Sequence, residues 1–207
     1  MPLRDYLGRM GPLLGRDGNY ARFLGARAVA VVGQMAAGFY TVYALQAFAA
    51  PAWQAGVFTS LMLAGQVVAG FVLGAIADRG GHRLSLALGI GAIAAANGLA
   101  LVAPSLTAFT AVFLLLGVNQ AALNISGQTI LLEFAPTEGD RPTYIGLGNT
   151  AMAPVAFVSP FLAALLADGL GFRAVFAVAG LFSLAGLILL GARVHEPRHV
   201  MRVPDTA

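Results

Sequence analysis

Cysteine and lysine are both missing from these 207 residues, and the twelve basic side chains are all arginine. Without thiols the chain can form no disulfide and offers no thiolate to a metal, and redox compartment cannot be read from it. Charge of either sign is scarce, at 10% of the chain against roughly a quarter in soluble domains. No acid or histidine falls in the middle of a long apolar run: Glu133 and Asp168 lie near run ends, and the three histidines occupy loops or the tail. The runs therefore lack the intramembrane carboxylates that commonly relay protons. Residues 1–21 contain no apolar stretch long enough for a signal-peptide core, so an uncleaved arm is expected there.

What remains is apolar. Hydrophobic residues make up 58% of the chain, and its mean hydropathy is +0.80. A helix needs about 20 apolar residues to cross roughly 30 Å of hydrocarbon, and the sequence supplies six such runs. They are predicted near Arg22–Phe48, Ala55–Ala77, Arg83–Ala103, Leu106–Phe134, Tyr144–Ala167 and Phe172–Ala192. Residues 1–21 form an arm before them and residues 193–207 a polar tail. The runs are too long for strands and lack the alternation of a barrel. The expected fold class is an all-α membrane protein with six transmembrane helices, its 22–192 domain embedded in a lipid bilayer.

Arginine placement orients the domain. Arg4, Arg9, Arg16, Arg22, Arg79, Arg83, Arg141, Arg193, Arg198 and Arg202 fall on one side of a six-span topology, and Arg173 alone on the other. Arginine-rich short loops stay cytoplasmic, so both termini are expected in the cytosol and the protein in the plasma (inner) membrane. The same placement explains the basic pI of 9.8 without a nucleic-acid partner.

Charge is concentrated in Gly74-Ala-Ile-Ala-Asp78-Arg79-Gly80-Gly81-His82-Arg83, between spans two and three. The pattern Gly74-x-x-x-Asp78-Arg79-x-Gly81-x-Arg83 resembles the signature loop of the major facilitator superfamily in letters and in position. His82 departs from it, since the family usually carries Arg or Lys there. Glu196-Pro197-Arg198 is similar to the step that often closes the family's last helix. The resemblance implies a conformational switch: Asp78 against the positive N-terminal end of a helix in an opposite half, with the arginines pairing nearby. A carboxylate at a helix N-terminus gains about 0.3–1 kcal/mol when exposed and up to ~2 when partly buried. A contact made in one access state alone biases a two-state equilibrium. Gly74 and Gly81 would permit close backbone approach and a sharp turn.

Members of that family have twelve helices in two halves, each half two inverted three-helix repeats. The chain is similar to the second half. The resemblance implies half of a secondary active transporter that moves a small-molecule substrate by alternating access. It would be completed by a second six-helix half or a homodimer mate, with no cofactor. A truncated, non-transporting fragment or membrane assembly partner is the alternative. In such halves the first and fourth helices line the pathway, the second and fifth form the seam, and the third and sixth face lipid. Arg27, Gln34 and Thr41 recur every seven residues on span one; Gln120, Asn124 and Gln128 recur every four on span four. These two stripes are the candidate pathway lining. Gly70-x-x-x-Gly74 suits close helix packing at the seam, and Pro154 and Pro160 are expected to kink span five.

An enzyme is not expected. Asn124-Ile-Ser126-Gly127 resembles the nucleophile stretch of rhomboid-like serine proteases, but a nucleophile needs a base within hydrogen-bond reach. The sixth run holds no histidine to act as one.

Overall fold

The computed structural model of the protein describes residue 15 and residues 17–200. Arg4, Arg9, Arg16 and Arg202 lie outside them. Among the described residues the secondary structure is entirely helical. Five helices among them are long and apolar enough to cross a membrane.

The first predicted span is not one helix. It divides into α1 (Gly18–Gly33) and α2 (Tyr40–Ala47), with turns from 34 to 39 between them. Asp17 starts α1, its Oδ1 accepting the Tyr20 N–H at 2.9 Å, which satisfies one of the donors that every helix start leaves free. The break frees the Gly33 carbonyl. In hydrocarbon such a group must find a partner, and two side chains from distant helices provide it: Asn97 Nδ2 at 3.3 Å and Ser183 Oγ at 3.3 Å. Tyr40, which opens α2, donates its hydroxyl to Asn97 Oδ1 at 2.8 Å. All three side chains are fully buried.

The long helices follow the apolar runs closely. They are α3 (Gln54–Gly80), α4 (His82–Val102), α5 (Leu106–Ser126), α7 (Arg141–Leu170) and α8 (Phe172–Arg193). Ser105 caps α5 by accepting the Ala108 N–H at 3.2 Å. The fourth run breaks at Gly127–Gln128 before a short α6 (Thr129–Phe134). A 3₁₀ turn, Glu138–Asp140, leads into α7, and α9 (Pro197–Val200) closes the tail. Both Pro154 and Pro160 lie inside α7, which stays helical through them.

Packing groups the helices in a regular way. α1 lies against α7 and α8, α5 lies against α3 and α4, and α4 packs on α8. α4 is the most buried span, 56% of its apolar window being enclosed within the chain. Its small residues Gly89, Ala92, Ala96 and Ala100 and the polar Asn97 turn inward. α3 and α7 are the least enclosed, at 22% and 17%.

Close approach between α3 and α5 occurs at Gly65 and Gly117. A side chain at Gly117 would strike the Met62 carbonyl and the Gln66 N–H, whereas Gly70 and Gly74 face open space. Phe58 and Phe113 stack across the same contact, with centroids 4.3 Å apart.

Candidate functional site

The charged turn is tighter than a loop. α3 runs through Asp78 and Arg79 to Gly80, α4 begins at His82, and Gly81 alone connects them at φ +90° and ψ 160°. That backbone region is essentially confined to glycine. Gly81 also makes room: a Cβ there would collide with the Glu196 carboxylate. Glu196 Oε2 accepts the Arg83 N–H at 3.2 Å, one of the free donors of the α4 start. The Arg83 side chain reaches on to α8, its Nε donating to the Leu190 carbonyl at 3.2 Å and its Nη2 to that of Gly191.

The Glu196-Pro197-Arg198 step is therefore part of the same assembly. Arg198 Nε pairs with Glu133, and its Nη1 donates to the carbonyls of Ala77 and Asp78, both at 3.2 Å. His195 and Asn19 exchange two hydrogen bonds at 3.0 and 2.8 Å, tying the tail to α1. Asp78 and Arg79 remain outside this network. Both are exposed, and among the described residues neither side chain has a hydrogen-bond or ion-pair partner. Gly74 approaches nothing within the chain.

A second connection reproduces the turn. Asp168-Gly-Leu-Gly171-Phe-Arg173 has the spacing of Asp78-Arg-Gly-Gly81-His-Arg83. Gly171 joins α7 to α8 at φ +82° and ψ 168°, and Arg173 Nη2 donates to the Leu101 carbonyl at the end of α4, at 3.0 Å. α4 and α8 are thus antiparallel, and each carries at its start an arginine that caps the other's end. Cations at helix C-termini are favourable by about 0.3–1 kcal/mol each.

Ser126 does have a histidine beside it. His82 Nδ1 lies 2.9 Å from Ser126 Oγ, and His82 Nε2 lies 3.8 Å from Glu133 Oε1, so a histidine does reach this serine. It comes from α4 instead of the sixth run. Ser126 is fully buried and His82 nearly so, which leaves no room for a substrate at the hydroxyl. The contact is a polar tie between α4 and α5.

The structure only partly gathers the two candidate stripes. Arg27, Gln34 and Gln128 line one cavity of about 340 Å³ among α1, α4, α5, α7 and α8. Thr41 does not, because the break at 34–39 interrupts the seven-residue register. Gln120 and Asn124 are exposed on α5 and lie outside the cavity. Gln128 exchanges amide hydrogen bonds with Asn149 of α7, at 3.2 and 3.5 Å, a partner the spacing argument missed. The Arg27 guanidinium has no hydrogen bond and no ion pair among the described residues, and its Nη1 is sealed from solvent. The remaining walls are apolar, among them Phe23, Leu86, Ile90, Leu123 and Met152.

Comparison with curated proteins and with solved structures finds no match. The family model described as Major Facilitator Superfamily matches residues 23–206.

Proposed function

Because the chain belongs to the major facilitator superfamily, a family of membrane transporters, we propose that it is the second-half module of a secondary active carrier. It would move a small solute by alternating access, together with another six-helix half or a second copy of itself. In this reading the broken α1–α2 element is a sixth crossing, and the end of the bundle that carries Gly18, Gly81 and Arg193 faces the cytoplasm from the plasma (inner) membrane.

The packing pattern supports two inverted three-helix repeats. Exchanging α1 with α5, α3 with α7 and α4 with α8 maps each principal contact onto another. The two glycine turns exchange with them, as do the two arginine caps. The observation that carries the half-carrier reading is what this packing leaves uncovered. α3 and α7 are related by the exchange and are the least enclosed spans. Beside the outer face of α3 stand Asp78 and Arg79, whose side chains have no partner among the described residues, in a turn where Arg83, Glu196 and Arg198 are tied. Such a carboxylate suits a helix N-terminus in a facing lobe.

The test is co-reconstitution. The chain is placed in liposomes alone and with a candidate first half, with crosslinking through Asp78→Cys. Crosslinked pairs with flux above that of empty liposomes support the carrier. Strictly monomeric protein with no flux in either arm would reject it in favour of a non-transporting fragment.

A further inference from the structure

We infer that the cavity around Arg27 binds the anionic group of an amphiphilic solute, a small organic monocarboxylate with an apolar body. The inference names a substrate class for the carrier proposed above. It rests on that reading for the claim that the solute is moved, and not for the claim that it binds.

Arg27 lies nine residues beyond Gly18, roughly 14 Å along the helix at 1.5 Å per residue. A guanidinium at that depth usually pairs with a carboxylate or snorkels to the aqueous boundary. Arg27 does neither. It has no ionic partner among the described residues, one terminal nitrogen is shut off from solvent, and the residue lines a partly open cavity. Among the described residues no Asp or Glu lines that space, so the positive charge there meets no carboxylate among them. A cationic solute would meet like charge in a medium of low dielectric, where the penalty is large. An anion would supply the missing partner.

The geometry narrows the anion further. A guanidinium presents a planar fork of donors that matches the paired oxygens of a carboxylate. Only one such group lines the cavity, which suits a single negative charge better than the double charge of a phosphate monoester. Gln34 and Gln128 add amide groups, and the rest of the wall is hydrocarbon. A volume near 340 Å³ falls at the small end of ligand pockets. Those features describe a molecule with one carboxylate on a compact apolar frame.

The experiment uses the full chain, purified in an uncharged maltoside detergent and followed by calorimetric titration. Benzoate and hexanoate are the probes; hexan-1-ol and hexylamine are the uncharged and cationic controls. Both carboxylates should bind and the controls should not. Arg27→Gln should weaken carboxylate binding at least tenfold, and Arg27→Lys should retain part of it. Equal binding of alcohol or amine would overturn the inference, as would unchanged carboxylate affinity in Arg27→Gln. Should Arg27→Gln fail to fold, Arg27→Lys and the ligand series on the native chain still decide it.

Phosphatidylglycerol is titrated in parallel, because a lipid headgroup offers similar oxygens. Arg27-dependent binding of that lipid without carboxylate binding would also overturn the inference. Carboxylate binding without flux in the reconstituted pair would sink the carrier reading alone. Flux indifferent to solute charge, with no carboxylate bound, would sink the anion site alone.

Discussion

Gly81 and Gly171 form a matched pair from which the strength of the tail's attachment can be measured. Both occupy the same positive-φ backbone region, at φ +90° and +82°. A Cβ at Gly171 meets nothing within 4 Å, whereas one at Gly81 strikes the Glu196 carboxylate. Gly171→Ala therefore reports backbone strain alone, about 1–3 kcal/mol for such a conformation. Gly81→Ala adds the expulsion of Glu196, which ends its charge-assisted hydrogen bond to the Arg83 N–H, worth about 1.5–3 kcal/mol. The second variant should exceed the first in cost by that amount. In a Glu196→Ala background the seat is already vacant, so the excess should vanish and the two alanine variants should cost the same. Reversible unfolding in mixed micelles, followed by far-UV circular dichroism, gives each free energy. Equal costs in the native background would refute the reasoning, as would an excess that survives removal of Glu196.

Three further outcomes are expected. Asn97→Ala leaves the buried Tyr40 hydroxyl without its acceptor and should cost about 1–3 kcal/mol. Adding Tyr40→Phe should recover part of that, and a strictly additive double mutant, read by the same unfolding assay, would deny the pair. Arg83→Ala and Arg173→Ala should each destabilise by about 0.3–2 kcal/mol, Arg83 more because it caps two carbonyls to Arg173's one. Their effects should add, since opposite helix ends do not couple. Asp78→Asn should change the unfolding free energy by less than about 0.5 kcal/mol, as an exposed substitution does, yet abolish flux in the assembled carrier. A stability loss with unchanged flux would point to a local role.

The long spans were legible because burying a run of twenty apolar residues in lipid dominates every other term, and their ends fell within a few residues of Gly80, Val102 and Leu170. The break in the first span was not. Ala36-Ala37-Gly38 looks as apolar as its neighbours, and the carbonyl that the break frees is satisfied by Asn97 and Ser183, 64 and 150 residues away. The same long-range dependence hid the packing role of Gly117, where a side chain would strike the Met62 carbonyl and the Gln66 N–H. In the candidate site, helical spacing grouped Gln120 and Asn124 with Gln128. The structure keeps only Gln128 at the cavity, because the kink at Gly127 turns it toward Asn149. The Asp168–Arg173 repeat was visible in the letters, and its meaning appeared once each arginine was seen on the opposite helix end.

Pinned by a guanidinium at both extremities, α4 and α8 behave as a double-ended spar. A slip of one helical turn, about 5.4 Å, would pull both arginines off their carbonyls together, in whichever direction it went. Lengthwise sliding between these two helices is thus resisted at either end of the pair. Deformation of the lobe is left to the stretches that have already given up regular helical hydrogen bonding, residues 34–39 and Gly127–Gln128, and these flank the Arg27 cavity.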